Sequence, residues 1–137
     1  MLRYLLDTDV VSEVLRLRPD PRVLDRLRAC RGEAALPSVA WHELVELTGR
    51  LPAGPGRRRY AAFLREVVSP SLPVVAYDRD AATWHARLAV PEGGESGAAM
   101  SDAMVAAVAA VHGLILVTRR PAAFAGFPGI TLERWHG

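Results

Sequence analysis

The sequence contains no lysine, only one cysteine and no long uninterrupted apolar run. All 17 basic residues are therefore arginine, and any mechanism that needs a catalytic lysine is excluded. Because Cys30 is alone, neither an intrachain disulfide nor a cluster of thiolate metal ligands can form. No stretch reaches the roughly 18 apolar residues of a membrane-spanning helix, and the N-terminus lacks the features of a signal peptide. We therefore expect a cytoplasmic protein with no membrane partner.

The 137 residues suffice for one domain with a substantial core, and half of them are hydrophobic. We predict a single domain over residues 1–137. The formal net charge of +2 identifies no partner. Exclusive use of arginine suits phosphate binding, because guanidinium offers a planar fork, but genome composition explains it equally well.

Five short apolar segments are predicted to be β-strands, and stretches of helical character separate them. The strands are 2–6, 34–37, 73–76, 114–118 and 130–133. The helices are expected from a cap at Thr8 or Asp9 to about Leu17, over 21–31, from a cap at Ser38 to Gly49, over 60–68, from a cap at Asp78 to Leu88 and over 100–111, with loops at 51–57 and 91–97. This alternation predicts an α/β domain with a parallel sheet of four to five short strands and helices on both faces.

A carboxylate stands at the exit of the first strand. The apolar run Tyr4-Leu5-Leu6 stops at Asp7, and ligands of open α/β sheets bind outside the carboxyl ends of the strands. Taken alone, Asp7 is equally a turn or helix-capping residue. Asp9 follows closely, however, and two acids so near each other are costly unless they share a cation or are both solvated.

Two further acids are placed to reach the same edge. Glu43 lies among apolar residues of the Ser38 helix, where an exposed position is the alternative. Asp102 lies in the first turn of the predicted helix 100–111, which is nearly all apolar, and is there either a partner for the helix dipole or a charge that needs a buried partner. If these acids converge with Asp7, they form an oxygen site for a hard divalent cation such as Mg²⁺.

Four motifs in order give the chain a recognisable pattern. They are Leu5-Leu6-Asp7-Thr8-Asp9-Val10-Val11-Ser12-Glu13, Ser38-Val39-Ala40-Trp41-His42-Glu43-Leu44, Ser101-Asp102-Ala103-Met104-Val105-Ala106-Ala107 and Gly113-Leu114-Ile115-Leu116-Val117-Thr118-Arg119, the last followed by Phe124-Ala125-Gly126-Phe127-Pro128-Gly129. In order and spacing the chain resembles the PIN-domain ribonucleases, in particular the VapC-like toxins of prokaryotic toxin–antitoxin pairs. The similarity extends from the first residues to Trp135.

This resemblance implies a PIN-like nuclease domain over 1–137 that acts as an endoribonuclease toxin. It implies cleavage of RNA phosphodiester bonds with Mg²⁺, or Mn²⁺ in its place, a homodimer, and neutralisation by a cognate antitoxin. The implied catalytic and metal-binding residues are Asp7, Glu43 and Asp102, with Asp9 as an additional metal ligand. The candidates for contact with RNA are Thr118, Arg119 and Arg120, of which Thr118 can instead hydrogen-bond an acid.

The chain departs from the family pattern at two places. Where family members commonly have asparagine, this chain has Asp9, which adds an acid. Where they commonly read Thr-Arg-Asn-x-x-Asp-Phe, it has Arg120 in place of the asparagine and Ala123 in place of the acid. We expect weaker Mg²⁺ binding from the loss at Ala123 and the charge of Arg120, with Asp9 as a partial remedy.

Two alternatives stay open at this point. One is a catalytically weak or dead member that binds antitoxin or RNA without cutting, which the loss at Ala123 motivates. The other is a phosphatase of the haloacid-dehalogenase type with Asp7 as nucleophile, although that chemistry usually needs a lysine, which this chain lacks.

One apolar region is expected to serve a homodimer or antitoxin contact. Tyr60 and Phe63, with Leu51 and Pro52 before them, carry more apolar surface than a small monomer comfortably exposes.

Overall fold

In the computed structural model, which describes residues 1–89, 94 and 97–137, a five-stranded parallel sheet forms the centre of the protein. Its strands are β1 (Tyr4–Leu6), β2 (Ala34–Pro37), β3 (Val74–Val75), β4 (Ile115–Val117) and β5 (Thr131–Glu133). Their order is β3-β2-β1-β4-β5. In register, Tyr4 pairs with Ala34 of β2 on one side and with Ile115 of β4 on the other. All five predicted strands are confirmed, each at or just inside its expected bounds.

Helices connect the strands. They are α1 (Thr8–Val11), α2 (Pro21–Ala29), α3 (Ser38–Arg50), α4 (Pro55–Phe63), α5 (Ser69–Ser71), α6 (Arg79–Ala86), α7 (Gly97–His112) and α8 (Pro121–Phe124). A 3₁₀ turn over Ser12–Leu15 continues α1, and a π-helical turn over Leu64–Val68 joins α4 to α5. None of the described helices is long and apolar enough to cross a bilayer.

Side chains alternate across the sheet, and each face packs against its own hydrophobic core. Tyr4 and Leu6 face one core with residues of α2, α3 and α4, whereas Leu5 faces the other with residues of α7. Ala103, Ala106, Ala107 and Ala109 of α7 are buried there, and their small side chains let the helix lie close to the sheet. Helices on both faces confirm the predicted α/β architecture.

The helix after β1 begins and ends differently from its prediction. Neither Thr8 nor Asp9 caps α1: the cap is Asp7, whose carboxylate accepts a hydrogen bond from the backbone N–H of Thr8. The α-helix ends at Val11, where the 3₁₀ turn begins. The prediction of a regular helix to about Leu17 was therefore wrong. Asp7 therefore directly follows the strand and also caps the helix. The sequence pattern does not distinguish these two positions of one acid.

Other helix bounds also differ. Ser38 is the first residue of α3 rather than its cap, and its hydroxyl accepts from the backbone N–H of Tyr77. The helix predicted over 60–68 begins at Pro55, because proline at the first turn has no N–H to leave unpaired. Asp78 caps α6 as expected, with a bond from the N–H of Ala81. The loop predicted over 91–97 lies largely outside the described residues.

Candidate active site

Asp7 lies at the carboxyl edge of the sheet, directly after β1. Its backbone N–H donates to the carbonyl of Val117 in the neighbouring β4, and the residue is 5% exposed. One carboxylate oxygen, Oδ1, accepts from the N–H of Thr8, and the other, Oδ2, accepts at 2.9 Å from the hydroxyl of Thr118. Both hydrogen bonds fix the orientation of a carboxylate that is almost completely withdrawn from solvent.

Burial makes the carboxyl group of Asp7 a weaker acid than an ordinary aspartate. Removal from water, reinforced by the nearby charge of Asp9, raises the pKa of Asp7 to about 6. The hydrogen bonds from Thr118 and Thr8 and the charge of Arg120 act in the opposite direction, but they do not cancel the effect of burial. A buried carboxylate at this edge is thus a group that gains from a bound cation.

Thr8 connects Asp7 to Glu43. While its N–H donates to Asp7, its hydroxyl donates a short hydrogen bond to Oε2 of Glu43 on α3. Glu43 is half-buried, whereas Glu46 on the same helix is 42% exposed and pairs with Arg50 at 2.6 Å. Of the two acids on this helix, Glu43 is therefore the one that is partly withdrawn from solvent.

Arg120 connects the remaining acids. Its Nη2 lies 3.1 Å from Oδ1 of Asp102 and 3.6 Å from Oδ2 of Asp7, and its Nε lies 3.8 Å from Oδ2 of Asp9. The hydrogen bond with Asp102 is the main reason that the pKa of Arg120 is raised above its usual value. Three carboxylates from two different elements thus surround one positive charge.

The donor set is suited to a hard divalent cation. The oxygens of Asp7, Asp9 and Asp102 already surround a cationic group, and Oδ1 of Asp9 is buried with no hydrogen-bond partner among the described residues. In the described part of the chain, however, no three acidic, histidine or cysteine side chains are arranged to hold a metal ion. These oxygens are donors of the kind that a hard cation prefers, and in this structure the guanidinium of Arg120 lies among them.

The remaining candidate residues differ in burial and in position relative to the acidic cluster. Thr118 is fully buried and donates to Asp7, so it takes the second of its two suggested roles, contact with an acid. Arg119 is exposed at the rim, where its carbonyl accepts from Arg134. Asp102 lies in the second turn of α7 rather than the first, because that helix begins at Gly97. Ala123 is exposed on α8 and brings no carboxylate to the site.

Thr8 is the component that sequence reasoning missed. It was considered only as a helix cap, yet it holds two of the acids at once. A signal was present: the residue after a capping acid has a free N–H at the helix start, and a hydroxyl side chain there has a second donor.

A separate apolar groove lies on the face of the sheet that α2 and α4 cover. It encloses about 270 Å³ and is lined mainly by apolar side chains from β1, the 3₁₀ turn, α2 and the π-helical turn, among them Leu6, Val14, Leu24, Leu27 and Val67. Phe63 also lines it but is only 7% exposed, so its expected place on an outer contact surface was wrong. Phe63 is the last residue of α4, and its ring is buried because it packs into the hydrophobic core on this face of the sheet.

The comparison with known proteins identifies the family. A model of the PIN domain matches residues 4–120. The chain belongs to the PIN-domain family. It is 32% identical over 124 residues to VapC ribonuclease Y4jK of Sinorhizobium fredii. The alignment covers 87% of this chain and 88% of that protein. This membership confirms the recognised resemblance, and it leaves the haloacid-dehalogenase alternative without support.

Two solved structures share the fold closely. FitAcB from Neisseria gonorrhoeae has a TM-score of 0.81 at 27% identity, covering 94% of this chain and 95% of that one. DNA-bound VapBC from Salmonella typhimurium has a TM-score of 0.77 at 25% identity, covering 98% of this chain and 99% of that one. The single PIN-like domain and its five-stranded sheet are thus those of VapC-like proteins.

Proposed function

We propose that this PIN-domain protein is a Mg²⁺-dependent endoribonuclease of the VapC toxin type that cleaves RNA phosphodiester bonds. The observation that carries the proposal is the convergence of Asp7, Asp9 and Asp102 on one positive charge, with Glu43 linked to Asp7 through Thr8. The resemblance to VapC ribonuclease Y4jK supports RNA as the substrate.

In this proposal Asp7, Glu43 and Asp102 hold the cation, with Asp9 as an additional ligand and Mn²⁺ as an alternative metal. A divalent cation at such a site neutralises charge on the phosphoryl oxygens and makes a nearby water more acidic. Its hydration and charge requirements match a set of carboxylates rather than imidazoles.

The protein's own groups position the reactants. Thr118 and Thr8 hold the two oxygens of Asp7 in place, so that its orientation is set before substrate arrives. Glu43 is half-buried and can accept a proton from the attacking water. The exposed Arg119 is placed to contact the RNA backbone, and such phosphate contacts position a nucleic acid without reading its sequence.

The direct test is cleavage of a random-sequence RNA pool by the purified protein. We expect cleavage with Mg²⁺, none with EDTA, and none of single-stranded DNA of the same design. Glu43→Gln should lower the rate by about 100-fold, because it removes a charged ligand and a proton acceptor. Glu46→Gln is the matched control on the same helix, and it should cleave like the parent.

Two results would contradict the proposal. One is cleavage that persists in EDTA, and the other is equal activity of the Glu43→Gln and Glu46→Gln variants, which would indicate a contaminating nuclease. If no RNA is cleaved although Mg²⁺ binds, the catalytically dead alternative is favoured.

We further propose that a cognate antitoxin neutralises the protein and that the protein forms a homodimer. The open apolar groove supports a partner, because a small monomer rarely leaves such surface uncovered. Exposed side chains next to it, notably Val14 and Val67, extend the apolar area. The VapBC and FitAcB proteins that share the fold make an antitoxin the expected occupant. We expect the protein to act in the cytoplasm.

A further inference from the structure

We propose that Arg120 is a built-in competitor of the divalent cation: its guanidinium occupies the centre of the acidic cluster, and the metal binds by displacing it. This inference rests on the proposed function, since it concerns the same metal site. It adds a residue whose role there is to oppose metal binding rather than to provide a ligand.

The contacts of the guanidinium are those of a bound cation. It reaches Asp102 with two nitrogens, at 3.1 and 3.5 Å, and it lies within ion-pair distance of Asp7 and Asp9. A positive charge at this place relieves the repulsion among the three carboxylates. Because a guanidinium is weakly hydrated and always charged, it performs this task without any metal.

The guanidinium is also easy to displace. Its side chain is 51% exposed, and its other described contact is with the ring of Phe124, whose centroid is 5.7 Å from Cζ. The backbone is anchored, in contrast, because the N–H of Arg120 donates at 3.0 Å to the hydroxyl of Thr118. The side chain can therefore leave the cluster without any rearrangement of the strand end or of Asp7.

Displacement implies that metal and guanidinium exclude each other. Two positive groups a few ångströms apart repel strongly in a partly buried site, so a cation that enters while Arg120 remains is penalised. The apparent metal affinity is then the affinity of the free carboxylates reduced by the cost of removing Arg120.

The test is Mn²⁺ binding to the full chain, measured calorimetrically and from the electron paramagnetic resonance signal of the free ion. We expect Arg120→Gln to bind Mn²⁺ about tenfold more tightly than the parent, because the competing charge has gone. Arg120→Lys keeps the charge without the two-nitrogen contact and should lie between them. Arg119→Gln removes the same charge one residue away, where the described residues show no ion pair, and should change the affinity less than about twofold.

A second readout does not depend on affinity. In EDTA, Arg120→Gln should have a lower Tm than the parent, since its carboxylates lack a counter-ion, and Mn²⁺ should raise its Tm more than that of the parent. Equal Mn²⁺ affinity of parent and Arg120→Gln, or equal tightening by Arg119→Gln, would overturn this inference alone. If neither the parent nor the Arg120 variants bind Mn²⁺, the proposed metal site is overturned with it.

Discussion

Replacing Asp7 by asparagine is expected to lower the rate of Mg²⁺-dependent RNA cleavage by about 100- to 1,000-fold, an effect of the size seen when one preorganised electrostatic group is removed from an active site. Asp7 is the most buried of the clustered acids, and its two oxygens are held by Thr8 and Thr118. Asparagine has nearly the same shape but no charge, so it keeps the helix cap and loses the interaction with a cation. The measurement is the initial rate on the RNA pool at saturating Mg²⁺.

The matched control is Asp25→Asn, the same change at an acid of α2 whose side chain is 76% exposed and pairs only with a neighbouring arginine, Arg28, among the described residues. This variant should cleave RNA like the parent. Equal rates for Asp7→Asn and the parent would show that Asp7 is only a cap.

The stability of the same variant separates a catalytic role from a structural one. Because the pKa of Asp7 is raised in the folded state to about 6, against 3.8 for an ordinary aspartate, the folded protein holds its proton more tightly than the unfolded chain. The stabilisation is complete below pH 4 and is lost as the pH rises through 6. In EDTA the parent should therefore lose up to about 3 kcal/mol of unfolding free energy relative to Asp7→Asn between pH 4 and 7.

His136→Ala is expected to destabilise the protein by about 3 kcal/mol, because it removes the hydrogen-bond donor to one oxygen of a buried carboxylate. The side chains of His136 and Glu13 are each 4% exposed, and Nε2 of His136 donates to Oε1 of Glu13 at 3.1 Å. Burial alone would raise the pKa of Glu13, but the N–H of Asp20 and the His136 ring hold it below its usual value. The measurement is chemical unfolding at neutral pH.

His42→Ala is the control for this prediction, since His42 is 73% exposed and pairs with Glu46 at 3.4 Å. It should change the unfolding free energy by no more than about 0.5 kcal/mol. A double-mutant cycle with Glu13→Gln should then return a coupling energy between the buried pair. Additive effects of His136→Ala and Glu13→Gln would contradict the account.

The sheet was predictable because its strands are short apolar runs separated by helical patterns. The central strands β1 and β2 are buried along their whole length, so hydrophobicity alone marks them, whereas the edge strands β3 and β5 are partly exposed. The placement of Asp7, Glu43 and Asp102 at one edge was likewise expected, since parallel strands bring their carboxyl ends together. The convergence of elements far apart in the chain follows from topology, which the alternation of strands and helices determines.

The side-chain contacts of the site could not be predicted from the sequence, because they depend on how far and in which direction each side chain extends. The pattern indicated a second donor at Thr8 but not its acceptor, Glu43, because that hydrogen bond joins residues 35 positions apart. The charge of Arg120 was expected near the site, but its position among three carboxylates depends on the direction in which a long, flexible side chain turns. No sequence motif includes His136, and its burial follows from its contact with Glu13 in the 3₁₀ turn.

Diffraction from crystals grown with Mn²⁺ tests the central claim most directly, because the anomalous signal of manganese locates the ion without reference to activity. The account predicts a peak among the carboxylates of Asp7, Asp102 and Glu43, with the guanidinium of Arg120 moved out of the cluster. A peak elsewhere, or an Arg120 that stays between Asp7 and Asp102 at saturating Mn²⁺ with no ion beside them, would contradict it.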